Sequence, residues 1–289
     1  MTARWLALLC AALGWPALSI AEPAAWRVTG PNGSEIVLLG SMHLLRASDY
    51  PLPASVDRLI DRADTIVLEI DLDDIDPVAQ QRLILDKALL PQGTELDDVL
   101  DADLYRTLDD AAAKAGLDLK LLARFEPWFL AISLLEVGMR KLGYEPERGL
   151  EQYVVGRAHA AGKKVEGLET IEFQIGIFDA LPIESQQAML VQTLMELDEA
   201  ETTVAAMADA WRDGKLEDLS EELLGEFDEF PGLYDTLVTE RNDAWVGSLE
   251  NMLDDGRRYL VVVGALHLVG THNVIELLKA RGHAVDRLH

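Results

Sequence analysis

Short apolar runs rich in β-branched residues alternate with long stretches of helical periodicity along this 289-residue chain. Residues 26–29 and 35–39 flank Gly30-Pro31-Asn32-Gly33-Ser34, a turn-rich linker that predicts an opening β-hairpin. The runs over residues 65–70 and 258–263 are almost wholly apolar, the pattern of strands buried on both faces. Shorter strands are expected over 164–167 and 284–287. The spacing of apolar residues predicts helices over 54–62, 77–89, 96–100, 104–115, 127–142, 149–161, 171–180, 184–210, 216–229, 233–253 and 269–280. Strands from both chain ends and the middle, separated by a long helical stretch, predict an α/β fold: a mixed central sheet with a large helical insertion. No low-complexity linker interrupts the pattern, so residues 22–289 are expected to form a single domain.

The first residues do not fit that pattern. Arg4 precedes an apolar stretch over 5–18, and Ser19-Ile20-Ala21 is a small-x-small cleavage site, which predicts a signal peptide over residues 1–21 cut after Ala21. The expected location is therefore periplasmic or secreted. The single cysteine, Cys10, lies in that segment, so the mature chain would have neither disulfides nor thiolate ligands. No later run reaches the roughly 20 apolar residues of a membrane span, and none is expected after cleavage. A formal charge of −26 is the opposite of a phosphate-binding footprint and argues against nucleic acid as a partner. Phosphate-cradling glycine loops, Gly-x-Ser-x-Gly elbows and His-Glu-x-x-His helices are all missing, which argues against the usual nucleotide, serine-hydrolase and zincin chemistries.

Candidate chemistry gathers at the strand ends. Two apolar runs lead into Gly40-Ser41-Met42-His43-Leu44 and Gly264-Ala265-Leu266-His267-Leu268, the same strand–glycine–histidine arrangement twice. A glycine closing a strand permits a sharp turn or a close backbone approach, and ligands of α/β proteins bind at such strand ends. The spacing alone is not distinctive. Gly156-Arg157-Ala158-His159 repeats it in a polar helical stretch without a preceding strand, and His159 is expected on the surface. Glu69 interrupts the apolar run 65–70, Glu169 follows the strand 164–167, and Arg241 lies in a helix upstream of the second histidine strand. A carboxylate in an apolar run is costly unless it is paired or bound to a metal. Two histidines and two glutamates at four strand ends make a nitrogen/oxygen set suited to Zn, Mn, Co or Fe(II). The same residues without a metal allow acid–base hydrolysis, with a histidine activating water. Trp128, Trp211 and Trp245 are spaced as helix core residues. His272, His283 and His289 carry no special signal, the last two falling in the C-terminal tail, although His272, five residues past His267, is close enough in sequence to support it.

These residues also carry a resemblance. Leu38-Leu39-Gly40-Ser41-Met42-His43, Val67-Leu68-Glu69-Ile70, Gly167-Leu168-Glu169-Thr170 with Gln174, Trp211-Arg212-Asp213-Gly214, Arg241-Asn242 and Val263-Gly264-Ala265-Leu266-His267-Leu268-Val269-Gly270 together resemble the TraB/PrgY/GumN superfamily. That superfamily includes the Tiki metalloproteases, and the chain looks closest to its bacterial GumN-like branch. Ser41-Met42 stands where that pattern has threonine and a β-branched residue, a change that keeps the hydroxyl. The resemblance implies a fold similar to erythromycin-esterase-like and ChaN-like proteins. It also implies a metal-dependent hydrolase of peptide bonds, with a peptide or small-molecule substrate. His43, His267, Glu69 and Glu169 would be metal ligands, Glu69 and Glu169 would share catalysis, and Arg241 would bind substrate or the transition state. Two other readings follow from the same relatives: a non-catalytic binder of haem, iron or another ligand, and an accessory factor in envelope polysaccharide assembly.

Overall fold

The computed structural model describes residues 22–197, 200–215, 220 and 231–288. The expected signal peptide over 1–21 and nearly all of the expected helix 216–229 lie outside the described residues. β1 (Ala25–Thr29) and β2 (Glu35–Ser41) form the opening hairpin, and α1 (Ala54–Arg62) leads into β3 (Thr65–Ile70). The helical stretch comprises α2 (Pro77–Lys87), α3 (Leu96–Val99), α4 (Ala102–Ala115), α5 (Pro127–Lys141) and α6 (Leu150–Ala160). β4 (Lys164–Glu169) returns to the sheet and is followed by α7 (Ile171–Asp179), α8 (Ile183–Glu196) and α9 (Ala200–Arg212). α10 (Pro231–Tyr234) passes through a π-helical turn (Asp235–Thr239) into α11 (Glu240–Met252). β5 (Arg258–Gly264), a 3-10 turn (Ala265–Leu268), α12 (Val274–Ala280) and β6 (Val285–Arg287) complete the chain.

The six strands form one mixed sheet in the order β4-β3-β5-β2-β1-β6. β4, β3, β5 and β2 run parallel, while β1 pairs antiparallel with β2 and β6. Parallel strands need covering on both faces. Accordingly β2, β3 and β5 are buried along nearly their whole length, in a core that includes Ile36, Leu38, Val67, Val261, Trp211 and Leu278. A second apolar cluster, with Leu96, Leu108, Leu130, Leu134 and Leu190, holds the helical insertion together. All four parallel strands end at the same edge, which brings Ser41, Ile70, Glu169 and Gly264 to one rim although they are far apart in sequence.

Several boundaries differ from the sequence reading for identifiable reasons. The single helix expected over 184–210 is two, because their apolar faces pack in different places: Leu190 of α8 joins the insertion core, while Ala208 of α9 packs with Tyr144 and Trp211 enters the sheet core. The helix expected from residue 269 starts only at Val274. Gly270 and His272 both take positive φ, 71° and 58°, and the Asn273 side chain accepts the Glu276 N–H to cap the new helix. β4 extends to Glu169, so that carboxylate stands on the strand and not beyond it.

The segment after β2 is pinned to the start of α6. Leu150 N–H donates to the Met42 carbonyl at 3.1 Å, Glu145 N–H to that of Leu45 at 3.0 Å, and the Tyr50 hydroxyl to that of Arg148 at 2.6 Å. Gly149 allows this approach, since a Cβ there would collide with the His43 carbonyl. Gly149→Ala is expected to cost about 1–3 kcal/mol by overpacking, read as a lowered urea midpoint at unchanged m-value.

Candidate active site

Arg241 lies at the centre of the rim, its side chain only 10% exposed although it sits in the first turn of α11. Nε donates to Glu169 Oε1 at 3.0 Å, and Nη2 donates to Glu69 Oε2 at 2.6 Å and to Glu169 Oε2 at 2.8 Å. Nη1 donates to the Leu237 carbonyl of the π-helical turn at 3.0 Å and faces His267 Nε2 at 3.2 Å. Gln174 Nε2 bridges the two glutamates, 3.1 Å from Glu69 and 3.0 Å from Glu169, and Trp245 Nε1 donates to Glu169 Oε1 at 2.8 Å. The Trp245 ring also packs against both the His267 ring and the guanidinium, so this tryptophan belongs to the site as well as to the core. Every polar atom of Glu169 is thereby engaged. Glu69 keeps one freer oxygen, Oε1, which among the described residues accepts the Gly264 N–H alone, at 2.7 Å.

The two histidines occupy opposite chemical states. His267 is buried, and its Nδ1 lies 2.7 Å from Asn242 Oδ1. Because Asn242 Nδ2 donates to the His272 carbonyl at 3.0 Å, its oxygen is the end turned toward His267. Nδ1–H therefore donates, and Nε2 is a bare acceptor for Arg241. Burial, with Arg241 and His43 adding to it against the pull of Glu69, pushes the His267 pKa down to about 3, so the ring is neutral at pH 7. His43 Nδ1 instead lies 2.7 Å from Glu151 Oε1, and Ser41 Oγ donates to the same oxygen. The Glu151 carboxylate outweighs desolvation and raises the His43 pKa to about 9. The His43 side chain is 65% exposed, so water softens this coupling without reversing it. Burial works against ionisation of Glu151, and the His43 charge with the His43 and Ser41 hydrogen bonds outweighs it, leaving its pKa lowered. Burial likewise opposes ionisation of Glu69, but positive charge on His267, His43 and Arg241, with the Gly264 N–H, brings its pKa to about 2. With His267 neutral above about pH 3, the pull at neutrality comes from His43 and Arg241.

These groups converge above Gly264. A Cβ at that glycine would lie 3.2 Å from Glu69 Oε1, 3.4 Å from His43 Nε2 and 3.7 Å from His267 Cδ2. The space is a cradle with a bare-backbone floor, a carboxylate and two imidazoles around it. It is a poor match to the four-ligand metal site expected from sequence. Among the described residues no group of three or more His, Cys, Asp or Glu could hold a metal ion. Glu169 is taken up by Arg241, and His267 turns a ring carbon toward the cradle and its Nε2 toward the guanidinium. Arg241 is the cation that these carboxylates hold.

All five residues singled out from sequence, His43, Glu69, Glu169, Arg241 and His267, meet at this rim. Glu151 was missed. It falls at the start of a stretch that reads as a polar surface helix, and no local signal marks it. The rest of that reading stands: His159, on the same helix, is exposed and pairs with Asp73 at 2.7 Å. His272 supports His267 through its carbonyl and not its ring, which pairs with Asp243.

An α/β fold with paired Gly-x-x-His strand ends closing on glutamates and an arginine is the class this architecture defines. The chain belongs to the TraB/PrgY/gumN family, whose sequence profile matches residues 24–287. It is 28% identical over 276 residues to the uncharacterized protein YbaP of Escherichia coli (strain K12), covering 95% of this chain and 96% of that one. The YbaP of Shigella flexneri matches to the same extent. An uncharacterized protein of Treponema pallidum (strain Nichols) is 24% identical over 187 residues, 62% of this chain and 53% of that protein. No solved structure matches the chain. Among the described residues no helix is long and apolar enough to cross a membrane.

Removing Arg241 would leave two buried glutamates without their cation. Arg241→Leu is expected to lose about 3–5 kcal/mol in urea unfolding at pH 7, and Arg241→Lys to recover only part of it because an ammonium cannot span both carboxylates as the planar fork does. A loss below about 1 kcal/mol for Arg241→Leu, the size of an exposed ion pair, would contradict the placement.

Proposed function

We propose that this chain is a secreted or periplasmic hydrolase of peptide bonds, reacting in the cradle above Gly264. The observation that carries the reading is the approach of Glu69 Oε1 and His43 Nε2 to one point over a bare glycine, one group ionised as a base and the other held as an acid. The peptide bond as substrate comes from the Tiki resemblance. Secretion comes from the N-terminal pattern.

In this reading Glu69 accepts a proton from water as its oxygen bonds to the carbonyl carbon. Protonated His43 offers Nε2–H to the oxygen on which negative charge develops, then transfers that proton to the leaving nitrogen as the C–N bond breaks. The proton on Glu69 passes back to His43 and restores the starting state. Ser41 and Glu151 keep the His43 ring oriented and charged. Arg241 fixes Glu69 in place. Its N–H groups are all engaged, so its electrostatic share is that of a fixed charge, and direct contact with substrate would require it to release one of its present partners. Neutral His267 completes the wall without adding charge.

The test is a kcat/KM profile against pH on a peptide library, using protein treated with a chelator. Activity should fall as pH rises through about 9, where His43 loses its proton. Glu151→Gln removes the charge that raises His43, so the falling limb should move down toward the ordinary histidine value of about 6.5. His43→Ala should lose about 100-fold or more. The family resemblance assigns the reaction to a divalent ion. Turnover that appears only on adding Mn, Co, Zn or Fe(II) would overturn the metal-free route and return the chemistry to an ion.

A further inference from the structure

A groove of about 530 Å³ opens on the outer side of Arg241, between α7 and the π-helical turn that leads into α11. Phe173, Gly176, Ile177, Ala180 and Leu181 line it from one side, and Thr236 and Arg241 from the other. The α7 residues recur with helical spacing, so the groove follows one face of that helix. Gly176 leaves the middle open, since a Cβ there would meet nothing within 4 Å. Phe173, at 50% exposure, leaves a large aromatic surface in water at the mouth. Glu172 and Glu240 add carboxylates to a lining that is otherwise apolar apart from Thr236 and Arg241. The groove adjoins the candidate site in two ways. Arg241 lines the groove and holds Glu69 and Glu169 at the rim, and Gln174, which clamps the same two carboxylates, sits on the helix that carries much of the apolar lining.

We propose that this groove is the specificity subsite of the cleft, taking a large apolar side chain of an extended peptide that carries a basic residue beside it. The apolar lining supplies the burial, Gly176 and Ala180 set the width, and Glu172 with Glu240 favours the positive neighbour. A chain with formal charge −26 draws cationic peptides by the same sign. The fate of the bound peptide rests on the hydrolase reading; its binding does not.

Fluorescence anisotropy separates the two. The probe is a labelled hexapeptide with a central Phe-Leu pair flanked by lysines. Its controls carry Ala-Ala at the centre or glutamates in place of the lysines. Wild type is expected to bind the probe, and to bind the Ala-Ala control at least about tenfold more weakly, the discrimination a hydrophobic pocket gives for lost methylenes. It should bind the glutamate control more weakly through like-charge repulsion. Gly176→Leu fills the groove from a helical position with open space and should weaken the probe by a similar factor. Ala180→Leu, on the same face, gives a second reading should Gly176→Leu unfold. No binding of the probe, equal binding of the three peptides, or folded variants that bind as wild type does would overturn the proposal. Selective binding without cleavage would support the groove and count against the hydrolase reading alone.

Discussion

A guanidinium buried between two carboxylates fixes the geometry of everything around it. Arg241 cannot lose its charge, and Glu69 and Glu169 cannot be buried without it. Once the three are locked, with Gln174 clamping the carboxylates and Trp245 packed against the cation, β3, β4, α7 and α11 are tied at one edge. The direction of Glu69 then sets where its freer oxygen points, toward the Gly264 amide and the space above it. The orientation of His267 follows as well, because Arg241 N–H occupies the side from which its Nε2 would otherwise be protonated.

This asymmetry gives two matching sequence motifs unlike chemistry. Both histidines follow a strand and a glycine, and both have Nδ1 held by an oxygen. The oxygen is a carboxylate for His43 and an amide for His267. The carboxylate holds its imidazole charged and exposed at the cleft, while burial, with Arg241 beside it, leaves the other neutral. Pairs of titratable groups pushed apart by their surroundings are a usual sign of acid–base assignments. Here the pair differs because a carboxylate from α6, in the helical insertion, faces His43, while His267 is buried with only an amide from α11 at its Nδ1.

Much of the sheet was legible in the sequence because buried parallel strands leave continuous apolar runs, and Glu69 stood out by interrupting one. The paired motifs marked the right rim for the same reason: a strand that ends on glycine places its next residues at the edge. What the sequence hid were contacts made over long separations. Nothing in Gly149-Leu150-Glu151 distinguishes a site residue from the acidic first turn of a surface helix; its partner His43 is 108 residues away. Arg241 carried no local sign of its partners, since its carboxylates lie 72 and 172 residues away. Trp245 had the spacing of a core residue and is one, but its indole N–H also serves Glu169. The break between α8 and α9 was hidden because both segments have helical periodicity, and only their packing partners separate them.

The most direct test of the account is the protonation of the two histidines, read from imidazole nitrogen NMR shifts between pH 4 and pH 10 with assignments from His43→Gln and His267→Gln. The account predicts that His43 stays protonated past neutrality and titrates near 9, while His267 remains neutral down to the acid end of the range. Two histidines titrating together near the ordinary value of about 6.5 would contradict it, since the Glu151 and Arg241 contacts would then hold neither ring in its assigned state.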